Sequence, residues 1–258
     1  MNGPCRTCTI DSAGMGERTY RRRVHASGLV AFRVVCQETD VMVQADRLLA
    51  TEARERVLAC RGQIEGFIRR YPAVAATLRP WTATAMAPPV VRRMIQAGEA
   101  AGVGPMAAVA GAIAEDVGRH LLEYSRQVVV ENGGDLFLRT DRPVVAALFA
   151  GDSPLSMKVG LRISEAGDGI GVCTSSGTVG HSFSAGKADA VCVIAPSCAL
   201  ADAAATAVGN RVAQPGQVAS AISFGRQIPG VSGIVVVAGG RMAAWGELEL
   251  VPLKGKKG

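Results

Sequence analysis

Alternating apolar and polar residues predict strands near the start of the chain and a long helix after them. The runs LVAFRVVC (29–36) and TDVMVQA (39–45) are rich in β-branched residues or alternate with a period of two, as strands do. Between Thr51 and Pro72 the apolar residues recur at helical spacing instead. Acidic residues in the first turn and arginines in the last turn support that helix.

Short apolar runs separated by turn residues predict a mainly antiparallel sheet in the second half of the chain. In the run PSCALADAAATAVGN, Ser197 is a typical helix N-cap and Gly209 is a typical helix end. Because strands and helices occur in groups, the predicted fold class is α+β, with helices packed on mainly antiparallel sheets. Further helices are predicted at 89–101, after Gly104, and at about 216–224.

The helix after Gly104 has a face made of small residues. Ala107, Gly111, Ala114 and Gly118 follow one another at steps of four, three and four residues. Small side chains let another backbone or a ligand come close. Tight packing against a neighbouring element is the simpler interpretation of most of these positions.

Composition limits the class of protein. The chain has 258 residues, of which 48% are hydrophobic and 19% are charged, as in soluble globular proteins. No apolar run approaches the roughly 20 residues of a membrane span, and the start of the chain lacks the apolar core of a secretion signal. We expect no membrane partner and one cytoplasmic domain at 18–253, between a flexible segment (1–17) and a disordered basic tail (254–258).

The net charge of +6 lies in residues 1–100. Nucleic-acid binders usually add a recognition motif and stacking aromatic residues, whereas aromatic residues make up only 4% of this chain. No nucleic-acid partner is therefore expected. A homodimer is expected only because homodimers are frequent among compact proteins.

The seven cysteines do not follow the spacing of a disulfide framework, so reduced thiols are expected. Cys5 and Cys8 form a single C-x-x-C pair. A structural zinc site needs four ligands, and no second pair of ligands is present. The pair is either two thiols on a mobile terminus or a redox or sulfur-handling pair.

Asp202 and Thr206 are four residues apart on the helix LADAAATAVG and so share one face. An ionised carboxylate among small apolar residues is costly unless it is paired, hydrogen-bonded or bound to metal. A carboxylate and a hydroxyl form a partial oxygen shell for Mg²⁺, completed by phosphate oxygens and waters. The alternative is a carboxylate that caps a neighbouring segment.

The run VENGGDLF offers two interpretations. Glycine pairs favour a hairpin turn between two strands. The functional alternative is a ligand that contacts the backbone amides of this turn. Its candidate residues are Asn132, Gly133, Gly134 and Asp135.

The segment GVCTSSGTVGHSFSAGKADA (171–190) contains many hydroxyl groups and glycines. It matches neither the phosphate-binding P-loop nor the G-x-S-x-G nucleophile elbow. Since no acidic residue that would orient His181 is identifiable, a Ser/His hydrolase is disfavoured, and a loop that surrounds an anionic ligand fits better. The candidate ligand-binding residues are Thr174, Ser175, Ser176, Gly177, Thr178, His181 and Ser182, with His181 also the candidate general acid or base.

Four stretches together resemble one family. AGVGPMAAVAGAIAE, VENGGD, TSSGTVGHSFSAGKADAV and LADAAATAVGN occur in the order and spacing of uncharacterised protein family 0280. That family belongs to the ApbE-like superfamily of flavin transferases. The resemblance extends from about Tyr20 to about Glu249 and implies the ApbE-like fold.

The resemblance also implies a ligand and a site. Enzymes of this superfamily bind FAD and Mg²⁺, cleave the pyrophosphate and transfer FMN to a Ser or Thr of a target protein. By resemblance, Asp202 and Thr206 bind the metal, while the Gly133–Asp135 and Thr174–Gly177 segments line the nucleotide site. A small phosphate-containing ligand, flavin-like or nucleotide-like, is therefore the implied partner, with Mg²⁺ and FAD or FMN the implied cofactors.

Two departures from the family pattern leave other functions open. Glu115 stands where the transferases carry a lysine, and the Pro-x-Thr-Gly segment that follows their Thr-Ser-Gly is missing. One alternative is a flavin-binding carrier without catalysis. Another is a sulfur-assimilation protein that uses Cys173, although the same cysteine fits a small buried side chain at the end of a strand.

Overall fold

A computed structural model describes residues 8–12, 28–82, 86–164, 166–177 and 186–253. The predicted α+β class is confirmed. The helices are α1 (Ala50–Arg70), α2 (Pro89–Ala101), α3 (Val109–Leu121), α4 (Cys198–Gly209) and α5 (Val218–Gly225). The strands are β1 (Cys8–Ser12), β2 (Val30–Cys36), β3 (Thr39–Ala45), β4 (Val128–Asn132), β5 (Asp135–Arg139), β6 (Val144–Ala147), β7 (Val159–Ile163), β8 (Ile170–Ser175), β9 (Ala190–Ala195), β10 (Gly233–Ala238), β11 (Arg241–Gly246) and β12 (Glu249–Pro252).

The strands form two sheets. The large sheet has nine strands in the order β1-β2-β3-β4-β5-β8-β9-β10-β11, and the small sheet has three in the order β12-β7-β6. Every strand pair within these two sheets is antiparallel, as predicted. Short hairpins join β2 to β3, β4 to β5 and β10 to β11, because antiparallel strands need only short connections.

The large sheet separates two hydrophobic cores. Phe32, Phe137 and Ile234 face the helices and belong to the larger core. Leu136 and Leu138, which alternate with Phe137 on β5, belong to the smaller core on the opposite face, together with side chains of the small sheet. This alternation follows from the period of two in a strand, so neighbouring residues of one strand reach different sides of the molecule.

The small-residue face of α3 is used for packing. A Cβ added at Gly118 would lie 2.1 Å from Cδ1 of Phe137, and one added at Gly111 would lie 2.4 Å from the carbonyl oxygen of Cys198. These positions therefore bring α3 against β5 and against the start of α4. The simpler interpretation of the pattern holds at both glycines.

A buried ionic cluster joins the first three helices. The carboxylate of Asp116 on α3 accepts hydrogen bonds from Nε of Arg56 (2.6 Å), from Sγ of Cys60 (2.8 Å) and from Nη2 of Arg93. Burial acts to raise the pKa of Asp116, but the hydrogen bonds from Arg56 and Cys60 and the charge of Arg93 lower it below its usual range. The cluster gives this buried carboxylate the partners that it needs.

Two expectations for the start of the chain are wrong. Residues 8–12, placed in a flexible segment by the sequence, form β1 and pair with β2. Cys8 and Cys36, expected as reduced thiols, lie opposite each other in that pair and are joined by a disulfide. Without β1, β2 would be an open edge of the large sheet. A short strand with little sequence pattern can pair with such an edge when a disulfide attaches it.

The predictions for the other cysteines and for the basic tail have separate outcomes. Cys60, Cys173, Cys192 and Cys198 are free and buried, as expected for reduced thiols. Cys5 and the predicted basic tail (254–258) lie outside the described residues.

Within the part of the chain described, no single helix is long and apolar enough to cross a membrane. The two helical segments Pro89–Ala101 and Pro105–Leu121 together reach that length and apolar composition, but the chain bends by 106° between them.

Candidate functional site

The described candidate residues of β4, β5 and β8 lie at one end of the large sheet. A two-residue turn, Gly133-Gly134, joins β4 to β5, and both glycines have positive φ angles (68° and 108°). This is the hairpin turn that glycine pairs favour. The end of β8 lies beside it, since a Cβ added at Gly134 would lie 3.5 Å from the carbonyl oxygen of Thr174.

Two polar residues flank this turn. Asn132 is buried, and its Nδ2 donates a hydrogen bond to the carbonyl oxygen of Ala110 at 3.0 Å. Asp135 is also buried, and its carboxylate accepts hydrogen bonds from the thiol of Cys173 and the backbone N–H of Thr174. The end of the sheet is thus attached to α3 and presents a carboxylate towards the helices.

Asp202 reaches the same region from α4. Its Oδ2 accepts a hydrogen bond from the backbone N–H of Gly111 at 2.9 Å, and the backbone of Ala110 contributes a second one. Burial raises the pKa of Asp202 to about 7, although these two hydrogen bonds act to lower it. Asp202 therefore caps the N-terminal end of α3, which is the structural alternative considered from the sequence.

Asp135 and Asp202 influence each other. Burial raises the pKa of Asp135 well above its usual value, and the charge of Asp202 and then that of Glu131 raise it further. Two carboxylates near each other, one buried and one partly buried, are costly when both are ionised. A cation between them would remove this cost.

Thr206 lies one turn after Asp202. Both side chains are partly exposed, while most of α4 is buried. The predicted shared face is thus present on α4, and it is partly accessible.

The described residues fit Mg²⁺ as a partial oxygen shell. They contain no group of three or more His, Cys, Asp or Glu side chains arranged to bind a metal. Mg²⁺ commonly uses only one or two protein carboxylates, together with waters and phosphate oxygens. Asp135 and Asp202 would supply the carboxylates and Thr206 a hydroxyl, while the mutual repulsion of the two carboxylates favours a bound cation.

The end of β8 and the two residues after it contain the next candidate residues. The backbone N–H of Thr174 bonds to Asp135, but its hydroxyl interacts with Cys192, which belongs to the core on the other face of the sheet. Ser175 and Ser176 are partly exposed and Gly177 is exposed at the end of the strand. Thr178, His181 and Ser182 lie outside the described residues.

Glu115 holds the start of α4. Its Oε2 accepts hydrogen bonds from Oγ of Ser197 (2.9 Å) and from the backbone N–H groups of Cys198 (2.8 Å) and Ala199 (3.3 Å). Its Oε1 accepts one from Nε of Arg119 (2.9 Å). The side chain is therefore occupied within the fold, which explains why an acidic residue is stable in this buried position.

The cysteines near the site are not suited to thiolate chemistry. Cys173 and Cys198 are fully buried, and their sulfur atoms are 3.4 Å apart. Burial raises the pKa of Cys173 well above its usual value and that of Cys198 to about 11. A reactive cysteine needs a lowered pKa and access, so the interpretation of Cys173 as a small buried side chain is favoured.

A cleft of about 670 Å³ lies elsewhere, between the loop after β6 and the β10–β11 hairpin. Asp189 lies in its wall and accepts a hydrogen bond from the N–H of Gly239 at 2.8 Å. Neither Asp135 nor Asp202 lines this cleft. It is therefore distinct from the carboxylate pair.

The sequence did not identify the two backbone amides that hold Asp202 or the structural role of Glu115. Glu115 had one visible signal, since it is a charged residue within an apolar helix. Its partners at the start of α4 are more than 80 residues away in the chain, and no local pattern connects such positions.

Comparison with known proteins places the chain among its relatives. Residues 21–240 match the family model described as AbpE bacteria. A UPF0280 protein of Methanocella arvoryzae is 44% identical over 213 residues, which cover 82% of this chain and 86% of the relative. A UPF0280 protein of Methanocaldococcus jannaschii is 39% identical over 226 residues, with 85% and 92% covered.

Solved structures share the fold at low sequence identity. The apo flavinyl transferase ApbE of Pseudomonas stutzeri aligns with a TM-score of 0.55 and 15% identity, covering 84% of this chain and 94% of that protein. The ApbE protein of Thermotoga maritima aligns with a TM-score of 0.54 and 13% identity, covering 85% and 97%. The predicted ApbE-like fold is confirmed.

Proposed function

Since the chain belongs to the UPF0280 family and to the family described as AbpE bacteria, we propose that it binds a flavin nucleotide through its phosphate groups. Proteins of the same fold include flavin transferases. The proposed site is the end of the large sheet where the Gly133-Gly134 turn, the end of β8 and the exposed face of α4 meet.

The observation that carries the proposal is that the β4–β5 turn and Asp202 meet at the start of α3, where Nδ2 of Asn132 bonds to the carbonyl oxygen of Ala110 at 3.0 Å and Oδ2 of Asp202 accepts from the amide of Gly111 at 2.9 Å. Asp135 and Asp202 are the two carboxylates of this region. Each carboxylate has a raised pKa because it is buried, and the charge of Asp202 raises that of Asp135 further. A fold that only needed to fill this space would be more stable with neutral side chains. Two such carboxylates next to a partly exposed hydroxyl of Thr206 support a site for Mg²⁺ and phosphate.

Each group of this chain has a proposed task. Asp135, Asp202 and Thr206 would hold the cation, which would neutralise phosphate charge. Asn132 fixes the first turn of α3 through its bond to Ala110, and this keeps the Gly111 amide on Asp202. Ser175 provides a hydroxyl for a phosphate oxygen.

The proposed reaction is transfer of FMN. The acceptor hydroxyl of a target protein attacks the FMN phosphorus of FAD, its proton passes to a general base, and AMP leaves with the bridging oxygen. We assign the base to His181, which lies outside the described residues. Ligand binding and transfer are separate steps, so they need separate tests.

The first test measures binding and turnover on the full chain. Purified protein is mixed with FAD in the presence of Mg²⁺ or EDTA, and flavin fluorescence, melting temperature and release of AMP are recorded with a Ser- or Thr-containing acceptor. We expect Mg²⁺-dependent quenching and a higher melting temperature, both lost in Asp135→Asn. The control is Asp189→Asn, which changes a carboxylate outside the proposed site. No change with FAD in wild type would rule out the proposal.

A carrier that binds flavin without transfer is the second candidate. The observation that favours it is the position of Glu115, which is held by α4 and Arg119 and offers no positive charge to a phosphate. Binding of FAD without release of AMP, under every acceptor tested, would select the carrier. A sulfur-handling role through Cys173 is not favoured, because that thiol is buried and its pKa is raised.

A further inference from the structure

The last strand of the large sheet has an open edge. β11 stands at the end of the strand order and pairs with β10 alone among the described strands. Arg241, Met242, Ala244 and Gly246 are exposed on it. An exposed edge strand carries backbone N–H and C=O groups that can pair with a further strand.

The turn before β11 determines which backbone groups point outwards. Gly239 and Gly240, both with positive φ (54° and 75°), form a two-residue turn, and Ala238 lies opposite Arg241. In such hairpins the residues next to the turn form a hydrogen-bonded pair, and such pairs then alternate along the strands. The groups of alternate residues, namely Met242, Ala244 and Gly246, therefore point away from β10, although the carbonyl oxygen of Gly246 already accepts a hydrogen bond from the N–H of Leu248 at 3.0 Å.

β11 has few of the features that commonly protect an edge. The small sheet ends at β12 with Pro252, and its other edge strand, β6, has four residues and follows Pro143. β11 has six residues, contains no proline, and carries a single charged residue, Arg241. Charged residues, prolines and short length are the usual protection against strand addition.

Two opposite charges flank the exposed part of this edge. Arg241 begins the strand and Glu247 follows its last residue, and both are exposed. Within residues 28–253, as far as they are described, neither takes part in an ion pair. The strand is thus positive at one end and negative at the other, which suits an antiparallel copy of itself.

We propose that two copies of this chain associate through β11, antiparallel and centred on Ala244, so that the large sheet continues across a homodimer. In this register the outward groups of Ala244 meet those of the second Ala244, and Met242 lies opposite Gly246. Arg241 then lies opposite Glu247 of the second copy, twice by symmetry. A register centred on Ala243 would satisfy the backbone equally but would place Arg241 opposite Trp245.

The side chains agree with this register. Trp245 and Ala243, which pack against the helix-side core, lie opposite each other across the two copies. Cross-strand pairs of opposite charge stabilise antiparallel strands, and this register forms two of them. The proposal is independent of flavin binding, because β11 lies at the sheet edge and β4, β5 and β8 in its interior.

The test is the association constant of the full-length chain, measured by analytical ultracentrifugation across a wide range of concentration. We expect a dimer in wild type. Arg241→Glu places like charges opposite each other twice and should weaken association by about tenfold or more. The double variant Arg241→Glu with Glu247→Arg restores the opposite charges and should return association to nearly the wild-type value.

Two further variants complete the test. Ala244→Pro removes an outward N–H without removing a bond to β10 and should abolish association, with circular dichroism confirming the fold. Arg92→Glu, an exposed arginine on α2, is the matched control and should associate as wild type does. A monomer at every concentration, an Arg241→Glu variant that dimerises normally, or a double variant that fails to recover would overturn the proposal.

Discussion

Glu115 and Asp202 cap each other's helices. Glu115 of α3 accepts hydrogen bonds from the first backbone amides of α4, and Asp202 of α4 accepts one from the Gly111 amide near the start of α3. The first amides of a helix have no partner within the helix and attract negative charge. The reciprocal arrangement fixes the position of α4 on α3, and with it the position of Asp202 relative to Asp135.

Replacing Glu115 should destabilise the protein. In Glu115→Ala the amides of Cys198 and Ala199 lose a buried acceptor, and we expect a loss of about 2 kcal/mol in the free energy of unfolding. Urea unfolding measures this. The control is Glu123→Ala, since Glu123 is largely exposed. Equal stability of Glu115→Ala and wild type would contradict the capping role.

A methyl group at Gly111 should separate the two helices. Its Cβ would lie 2.4 Å from the carbonyl oxygen of Cys198 and 2.8 Å from Cβ of Asp202. We expect Gly111→Ala to cost about 2 kcal/mol, as overpacked sites do. Gly62→Ala is the matched control, because no heavy atom lies within 4 Å of the added Cβ in α1. That control should gain about 0.5–1 kcal/mol, and a gain at both sites would be evidence against the close helix contact.

Acid should weaken the cluster around Asp116. Its pKa in the folded protein lies below the ordinary value of 3.8, so the folded state binds this proton less readily than the unfolded state. The stabilisation is therefore present above about pH 4 and is lost as the pH falls through the folded pKa. Asp116→Asn should show a smaller loss of unfolding free energy between about pH 5 and pH 3.

The comparison of wild type with Asp116→Asn isolates the contribution of the Asp116 carboxylate. Asp46 also has a lowered pKa, maintained by hydrogen bonds around Gln127 and Ser125, and it is unchanged in the variant. Urea unfolding across the pH range gives the difference. If wild type and Asp116→Asn lose stability in parallel, the cluster does not contribute as described.

Reduction should destabilise the edge of the large sheet at β1. The bridge between Cys8 and Cys36 spans 28 residues, and a disulfide that closes such a loop stabilises by about 3–4 kcal/mol in the loop-entropy account. We expect a lower melting temperature in dithiothreitol and the same decrease without reductant in Cys36→Ser. Peptide mapping under non-reducing conditions should recover the Cys8–Cys36 pair, and its absence would contradict the pairing.

The sequence predicted the elements better than their long-range contacts. The 89–101 helix, the Ser197 cap and the Gly133-Gly134 turn follow from local rules and are present. β1 was missed because its five residues carry little pattern and gain their stability from β2 and the disulfide. This stabilisation comes from residues far from β1 in the sequence, which a local sequence pattern does not reveal.

The site was predicted only in part, because some of its contacts join residues that are far apart in the sequence. Asp202 and Thr206 share a face because helical spacing is local, and the structure places Asp202 near Asp135. The bonds from α3 to Asp202, and from α4 to Glu115, join residues 80 or more positions apart. The sequence placed Thr174 in the candidate loop, and in the structure its backbone N–H bonds to Asp135 while its hydroxyl interacts with Cys192.

The central claim is that Asp202 takes part in binding a flavin nucleotide with Mg²⁺. Isothermal titration of FAD into the full-length chain, with Mg²⁺ and then with EDTA, tests it most directly. Asp202→Asn is the informative variant, because the asparagine oxygen can still cap α3 while the charge that attracts the cation is removed. We predict Mg²⁺-dependent binding in wild type and in Asp189→Asn, and at least tenfold weaker binding in Asp202→Asn, about 1.4 kcal/mol. Equal affinity in Asp202→Asn, or no binding in wild type, would contradict the account.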